Sequence, residues 1–323
     1  MRNVLVTGGA GFIGHHLCRY LKGLGYQVYG VDIKPLEESW GNPTDYDVYE
    51  QVDLRNYLSA HKLMFMGEFD DVYALAADMG GMGFIGEESN NMAIMRNNSL
   101  ININTLNTAK RCGVSRYLFT SSACVYPEHL QLATDASPLK EHDAYPALPD
   151  TVYGWEKLFS EILASQYAPY MDIRIARFHN IFGPEGSWDD GREKLPAAAC
   201  RKVAMAKGDH DIEVWGDGEQ TRSFCYIDDC LEMLYALMNS DYDQPLNIGT
   251  DRSVTVNEMF DIVADIAGIK ISKVHDLTKP QGVRGRNADL SLMKKVLGIE
   301  PIYTLEAGLE KTYRWIAEEL NNG

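Results

Sequence analysis

The chain has 323 residues, 45% of them hydrophobic and 24% charged, with a formal net charge of -16. That is enough chain to bury a doubly wound core and a smaller second lobe. The acidic balance argues against general binding to nucleic acid or to a membrane surface, because both are polyanions. No stretch approaches the ~20 apolar residues of a membrane helix. The opening run Val4-Leu5-Val6-Thr7 is too short for a secretory signal. Six cysteines without a C-x-x-C pair, in a long chain that shows no signal, read as reduced thiols. Eight histidines without H-x-x-x-H spacing or Cys/His clustering suggest no metal site. The expectation is a cytoplasmic protein.

In chain order, short β-branched runs at Asn3–Thr7, Gln27–Asp32, Tyr49–Asp53, Asp71–Ala76, Arg116–Thr120 and Asp172–Phe178 read as strands. Helical patterns at Phe12–Leu24, Met92–Arg111 and Thr151–Tyr167 lie between them. This alternation predicts an α/β fold: a Rossmann-type doubly wound parallel sheet with a smaller C-terminal α/β substrate lobe. After Phe178 comes a turn-rich loop, Gly183–Arg192, then helices over Leu195–Ala206 and Asp228–Met238. Residues 246–323 mix short elements and end in the helical pattern Leu305–Leu320. Residues 1–178 are expected to form the first domain and 179–323 mainly the second, with the chain returning to the first near 225–250.

Gly8, Gly11 and Gly14 form a G-x-x-G-x-x-G pattern, with Phe12 and Ile13 opening the helix that follows the first strand. Glycines there allow a tight turn and close backbone approach to a pyrophosphate, which faces the helix N-terminus. Asp32 ends the second strand, where a carboxylate accepts ribose hydroxyls and repels a 2′-phosphate, so NAD is favoured over NADP. Asp53, ending the third strand, either reaches the adenine side or caps the strand.

Tyr153 and Lys157 stand at i and i+4 on one helix face, and Ser122 closes a strand at the edge where open α/β sheets bind ligands. This is the set needed to remove a carbinol proton as hydride leaves. Bringing a tyrosine near neutrality takes a fall of roughly 2–3 pH units, or 3–4 kcal/mol. One ammonium at ~4 Å supplies up to 4 kcal/mol at an effective dielectric near 20, so Lys157 alone is expected to be about sufficient. Cys124 lies two residues after Ser122; it is either a small buried hydrophobe or a thiolate base in a cationic site. Gly80, Gly81 and Gly83 alternate with methionines after the fourth strand and allow backbone close to a ligand.

At these residues the sequence resembles the extended short-chain dehydrogenases/reductases over essentially its whole length. Within them it is closely similar to the GDP-mannose 3,5-epimerase family. The likeness is carried by Ala77–Phe84, Ser121–Glu128, Arg177–Ile181, Gly191–Lys194, Trp215–Ser223 and Gly282–Asn287. It implies a bound NAD that oxidises C4 transiently, with Tyr153, Lys157 and Ser122 at that step. It also implies that Cys124 and Lys194 act as base and acid on opposite sugar faces, with Ser122, Cys124 and Glu193 beside the sugar. Lys202, Gln220, Thr221, Arg222 and Arg286 would hold the nucleotide-sugar, with Asn180 near sugar or phosphate and Gly80 at the ligand. The implied substrate is a GDP-hexose, GDP-mannose, and the implied assembly a homodimer. Two other readings stay open: another nucleotide-sugar epimerase (a UDP-sugar 4-epimerase or a single-centre GDP-hexose epimerase), and an NAD-sensing regulator without activity.

Overall fold

The computed structural model describes residues 2–206 and 211–322. Its first half alternates strand and helix: β1 (Asn3–Thr7), α1 (Phe12–Gly23), β2 (Gln27–Asp32), β3 (Val48–Gln51), α2 (Tyr57–Gly67) and β4 (Asp71–Ala74). Then come α3 (Met82–Ile85), α4 (Asn91–Cys112), β5 (Arg116–Ser122), α5 (Val152–Ser165), β6 (Asp172–Phe178) and β7 (Ile181–Phe182). The remainder holds α6 (Leu195–Met205), β8 (Asp211–Trp215), β9 (Thr221–Ser223), β10 (Cys225–Tyr226), α7 (Ile227–Met238) and β11 (Pro245–Ile248). It closes with β12 (Ser253–Thr255), α8 (Val256–Ala267), β13 (Ser272–Asp276), β14 (Gly285–Arg286), α9 (Ser291–Leu297) and α10 (Leu305–Asn322).

The main sheet is seven-stranded in the order β11-β6-β5-β4-β1-β2-β3, and every pairing is parallel. Such a sheet must be covered on both faces. Alternate residues of one strand accordingly enter different cores: Val4 and Val6 pack with Leu118, Ala176 and the α7 side chains, while Leu5 packs with Val72, Phe119 and Ile173. The chain leaves β1 toward β2 on one side and enters β4 on the other. That reversal opens the crevice at the strands' carboxyl ends where ligands bind in such sheets.

The ladder is shorter than expected in two places: β3 stops at Gln51 and β4 at Ala74, leaving Asp53 and Ala76 in the following loops. Four helices were not anticipated: α2, the one-turn α3, α8 and α9. In α2, capped by Asn56, the exposed face carries Leu58, Phe65 and Met66, so apolar residues surround the helix and blur its period. In α8 the buried Val256, Met259, Phe260 and Val263 follow a Thr255–Glu258 capping box.

Candidate active site

At the β1–α1 turn, Gly8 has φ +71°, and the Gly11 N–H donates to the Gly8 carbonyl at 2.9 Å. A Cβ built on Gly14 would lie 1.9 Å from that same carbonyl, so the first turn of α1 presses directly on the loop. The turn leaves a backbone cradle at the helix N-terminus that fits a pyrophosphate. Asp32 accepts from the Ala10 and Lys34 backbone N–H groups at 3.2 Å each, and burial raises its pKa. Its carboxylate is thereby held beside the cradle, as a ribose partner requires. Asp53, just past the end of β3, is paired with Arg55, which holds both its oxygens at 2.9 and 2.8 Å and lowers its pKa.

At the end of β5, Ser122 caps a short 3-10 turn by accepting the Cys124 N–H at 3.2 Å. The α5 helix lies hard against this turn. A Cβ on Gly154 would fall 2.1 Å from the Cys124 carbonyl oxygen, so the residue after Tyr153 must be small unless the backbone moves. That contact brings Tyr153 and Cys124 into one buried cluster with Ile85 and Ile94, roofed by Met79, Met82 and Phe84 of the methionine-glycine loop.

The expectation that Lys157 alone would bring Tyr153 down is not met. Burial drives the phenol upward, Cys124 and Glu156 add to the rise, and the Ser122 hydroxyl opposes it. The Lys157 ammonium instead donates to the Thr120 carbonyl at 3.0 Å, with its own pKa lowered by burial, and it stands 5.7 Å from the Tyr153 ring centroid. In this buried setting, removing water from the phenolate outweighs one ammonium.

Cys124 is the meeting point of the site. Arg286 Nη1 donates to its sulfur at 3.2 Å, Arg286 Nη2 sits 3.4 Å from Asp150, and Arg286 Nε donates to Gln131. Lys194, at the N-cap of α6, is half-buried; burial lowers its pKa, and the nearby Cys124 sulfur works the other way. Arg222 donates to the Thr221 and Val283 carbonyls at 2.7 and 2.6 Å, and burial next to Arg286 lowers its pKa to about 9. Ser122, Cys124, Tyr153, Lys157, Lys194, Arg222 and Arg286 thus share one neighbourhood.

Other expected residues are distributed around it. Gly80 and Gly81 face the Arg192–Glu193 segment: the Gly81 N–H donates to the Arg192 carbonyl at 2.9 Å. Arg192 in turn donates to Asp78 at 3.1 Å and lies 3.9 Å over the Phe84 ring. Glu193 is held by Arg201 at 3.1 Å through one oxygen. Asn180 has φ +42° and donates to the Ser223 carbonyl at 3.0 Å, and Thr221 donates to the Thr134 carbonyl at 2.5 Å. Gln220 donates to the Trp215 carbonyl at 3.1 Å. The Lys202 ammonium donates to the Glu213 carbonyl at 2.8 Å and carboxylate at 3.2 Å. The second oxygen of Glu193, the side-chain amide oxygen (Oε1) of Gln220 and the Ser223 hydroxyl are buried without a partner among the described residues. Such atoms are what a polar ligand or water satisfies.

Sequence reasoning missed Asp150, Gln131 and Arg192, which hold the arginine and the loop in place. Asp150 stands three residues before Tyr153, a spacing that could have drawn notice. Gln131 carries no local signal.

The "NAD dependent epimerase/dehydratase family" matches residues 4–249. GDP-mannose 3,5-epimerase 1 of Oryza sativa subsp. indica is 45% identical over 319 residues, covering 98% of this chain and 82% of that protein. GDP-mannose 3,5-epimerase of Arabidopsis thaliana matches with the same identity and coverage. Among solved structures, UDP-glucose 4-epimerase from Thermotoga maritima, determined with UDP-glucose, superposes with a TM-score of 0.86 at 25% identity, over 98% of this chain and 99% of that one. The glycine cradle and Asp32 fit the dinucleotide that the family uses, and NAD is the cofactor. The chain belongs to the NAD dependent epimerase/dehydratase family, as an NAD-dependent enzyme of the nucleotide-sugar epimerase type.

Proposed function

We propose that this enzyme is a GDP-mannose 3,5-epimerase, inverting C3 and C5 of the hexose while C4 is held as a ketone. Bound NAD would take hydride from C4 and later return it. Tyr153 receives the C4 hydroxyl proton, with Ser122 directing that hydroxyl and Lys157 fixing the α5 face. The burial that raises Tyr153 is offset when positive charge from the cofactor adds to that of Lys157. A C4 ketone acidifies the protons on both C3 and C5, so one oxidation serves two inversions. Cys124 removes each proton and Lys194 delivers one to the opposite face. The products are GDP-L-galactose, and GDP-L-gulose when C5 alone is inverted.

The observation that carries this reading is the Cys124 sulfur itself. It lies beside Tyr153 at the catalytic edge, hydrogen-bonded by Arg286 and within the field of Lys194. A reaction confined to C4 needs no such thiol, whereas inversion at neighbouring carbons needs an acid and a base. The 45% identity to enzymes named for that reaction supports it independently.

In this reading residues 1–178 carry NAD and 179–323 mainly hold the GDP-hexose, with 225–250 returning to the first domain. Arg222 and Arg286 are the diphosphate partners, since arginine offers paired donors in a rigid fork. Two copies pair through α4 and α5. Trp155, Phe159 and Ile162 recur along one side of α5 and stand exposed, as do Leu100 and Ile103 on the packed α4. A cytoplasmic setting suits the six unpaired cysteines.

The test is incubation with GDP-mannose in heavy water, followed by identification of the sugars. L-galactose and L-gulose with deuterium at the inverted carbons are expected. A product inverted only at C4, or turnover of UDP-sugars alone, would replace this reading with that of a 4-epimerase.

A further inference from the structure

No cation was expected from the histidine spacing, yet the fold joins two adjacent histidines to a distant carboxylate. His15 and His16 occupy successive positions in α1, buried, with ring centroids 4.3 Å apart. The Nδ1 of His15 lies 2.9 Å from the Gly11 carbonyl oxygen, and that of His16 lies 2.9 Å from the Phe12 carbonyl oxygen. A carbonyl oxygen only accepts, so Nδ1 carries the proton in each ring and the neutral ring offers Nε2 as a lone pair.

Both Nε2 atoms turn toward the same oxygen of Glu185, His15 at 3.1 Å and His16 at 3.7 Å. Lone pairs facing a carboxylate oxygen repel unless a cation stands between them. A proton on His15 would satisfy the shorter contact only, since 3.7 Å is too long for a hydrogen bond. A metal ion would use all three donors, whose ligand atoms lie within 4.8 Å of one another. Zinc bonds of about 2.0–2.2 Å at tetrahedral angles set ligand atoms roughly 3.4 Å apart, close to both distances seen.

We infer that His15, His16 and Glu185 form a binding site for a divalent transition-metal ion, with zinc the best match and water as fourth ligand. The surroundings resemble an outer shell: each imidazole is oriented by a backbone carbonyl, as metal-ligating histidines commonly are. Arg19 donates to the same Glu185 oxygen at 3.1 Å while its other edge grips Asp45 at 3.0 Å. It is the competing cation here. With metal bound it keeps Asp45 and turns to the other Glu185 oxygen, which no described side chain takes up. Glu185 itself has φ +60°, a left-handed conformation unfavourable for a non-glycine residue and a sign that the surroundings impose it.

The ion would fasten the Gly183–Arg192 loop, which leads into Glu193 and Lys194, to the helix that caps the dinucleotide. This inference does not depend on the sugar specificity proposed above.

The experiment is titration of untagged, metal-stripped full-length enzyme with Co2+ and then Zn2+. It is followed by cobalt d–d absorption and calorimetry, on wild type, His16→Gln and Glu185→Gln. Expected are one equivalent bound, a tetrahedral cobalt spectrum abolished by Zn2+, and an affinity loss of about tenfold or more in both variants. Unchanged circular dichroism would establish that the variants are folded, and the wild type alone should gain melting temperature with Zn2+. No saturable uptake by wild type, or uptake equal in both folded variants, would overturn the site.

Discussion

Arg286 sets one guanidinium nitrogen 3.2 Å from the sulfur of Cys124, a residue 162 positions earlier in the chain. The same side chain reaches Gln131 and Asp150, so three groups from the first half are gathered by one arginine from the second. Arg286→Ala should leave Cys124 and Asp150 without a partner. A hydrogen bond to a charged group is worth ~1.5–3 kcal/mol, so kcat/KM on GDP-mannose should fall by one to two orders of magnitude. Arg286→Lys keeps the charge but not the fork, and should recover only part. Steady-state kinetics with a melting curve for each variant checks both.

Cys124→Ala and Lys194→Ala should each depress epimerisation ~10²–10⁴-fold, the usual contribution of a general acid or base. Sugar recovered from wild type in heavy water should carry deuterium at C3 and C5, and none at C4, whose hydrogen shuttles through the cofactor. Both variants should lose the C3 and C5 label. Wild-type exchange in Cys124→Ala would make the thiol a packing residue.

Tyr153→Phe removes one oxygen from a buried ring and should fold normally. Activity should drop on every nucleotide-sugar. A residual kcat above roughly a tenth of wild type, a loss under 1.4 kcal/mol, would remove Tyr153 from the proton-accepting role.

His179 is fully buried, with Nε2 3.0 Å from the side-chain Oδ1 of Asn247, and burial lowers its pKa to about 3. The unfolded chain binds this proton near pH 6.5 while the folded chain refuses it until about pH 3. Stability from the neutral ring is therefore complete above 6.5 and lost as pH falls through that window. The loss at pH 5 relative to pH 7 should be about 2 kcal/mol from this residue alone. Denaturant unfolding from pH 7 to pH 5 measures it, and His179→Asn should flatten the slope.

Pairing through α4 and α5 predicts that Trp155→Glu combined with Phe159→Glu gives a monomer. Sedimentation or light scattering would read this directly. A wild type that is already monomeric at micromolar concentration would dismiss the pairing.

The cofactor half was largely legible in the sequence because its signals are local. Gly8, Gly11 and Gly14 sit between a strand and an amphipathic helix, and Tyr153 with Lys157 needs only one helical turn. The Thr255–Glu258 cap and its apolar spacing were equally local, and α8 was available to a closer reading. Other features depend on what the folded chain brings near. Lys202 looks like a free cation until Glu213 meets it, and Asp53, which reads as an adenine-side partner or a strand cap, is found paired with Arg55. Whether Lys157 outweighs the burial of Tyr153 turns on where the ammonium points, and nothing in the spacing reveals the Thr120 carbonyl. His15, His16 and Glu185 are the extreme case, because their meeting depends on a left-handed turn 169 residues downstream of the nearer histidine.

The outermost strand has a consequence for synthesis. β11 pairs Pro245–Ile248 with Ile175–Phe178 of β6, so the sheet is completed by a segment made after much of the second lobe. Until that segment emerges from the ribosome, a nascent chain carries β6 as a bare apolar edge, open to strand addition from any neighbour. Truncation after residue 178 would make that exposure permanent. An expressed cofactor half would aggregate, and a split version of the enzyme would need its cut placed beyond residue 248.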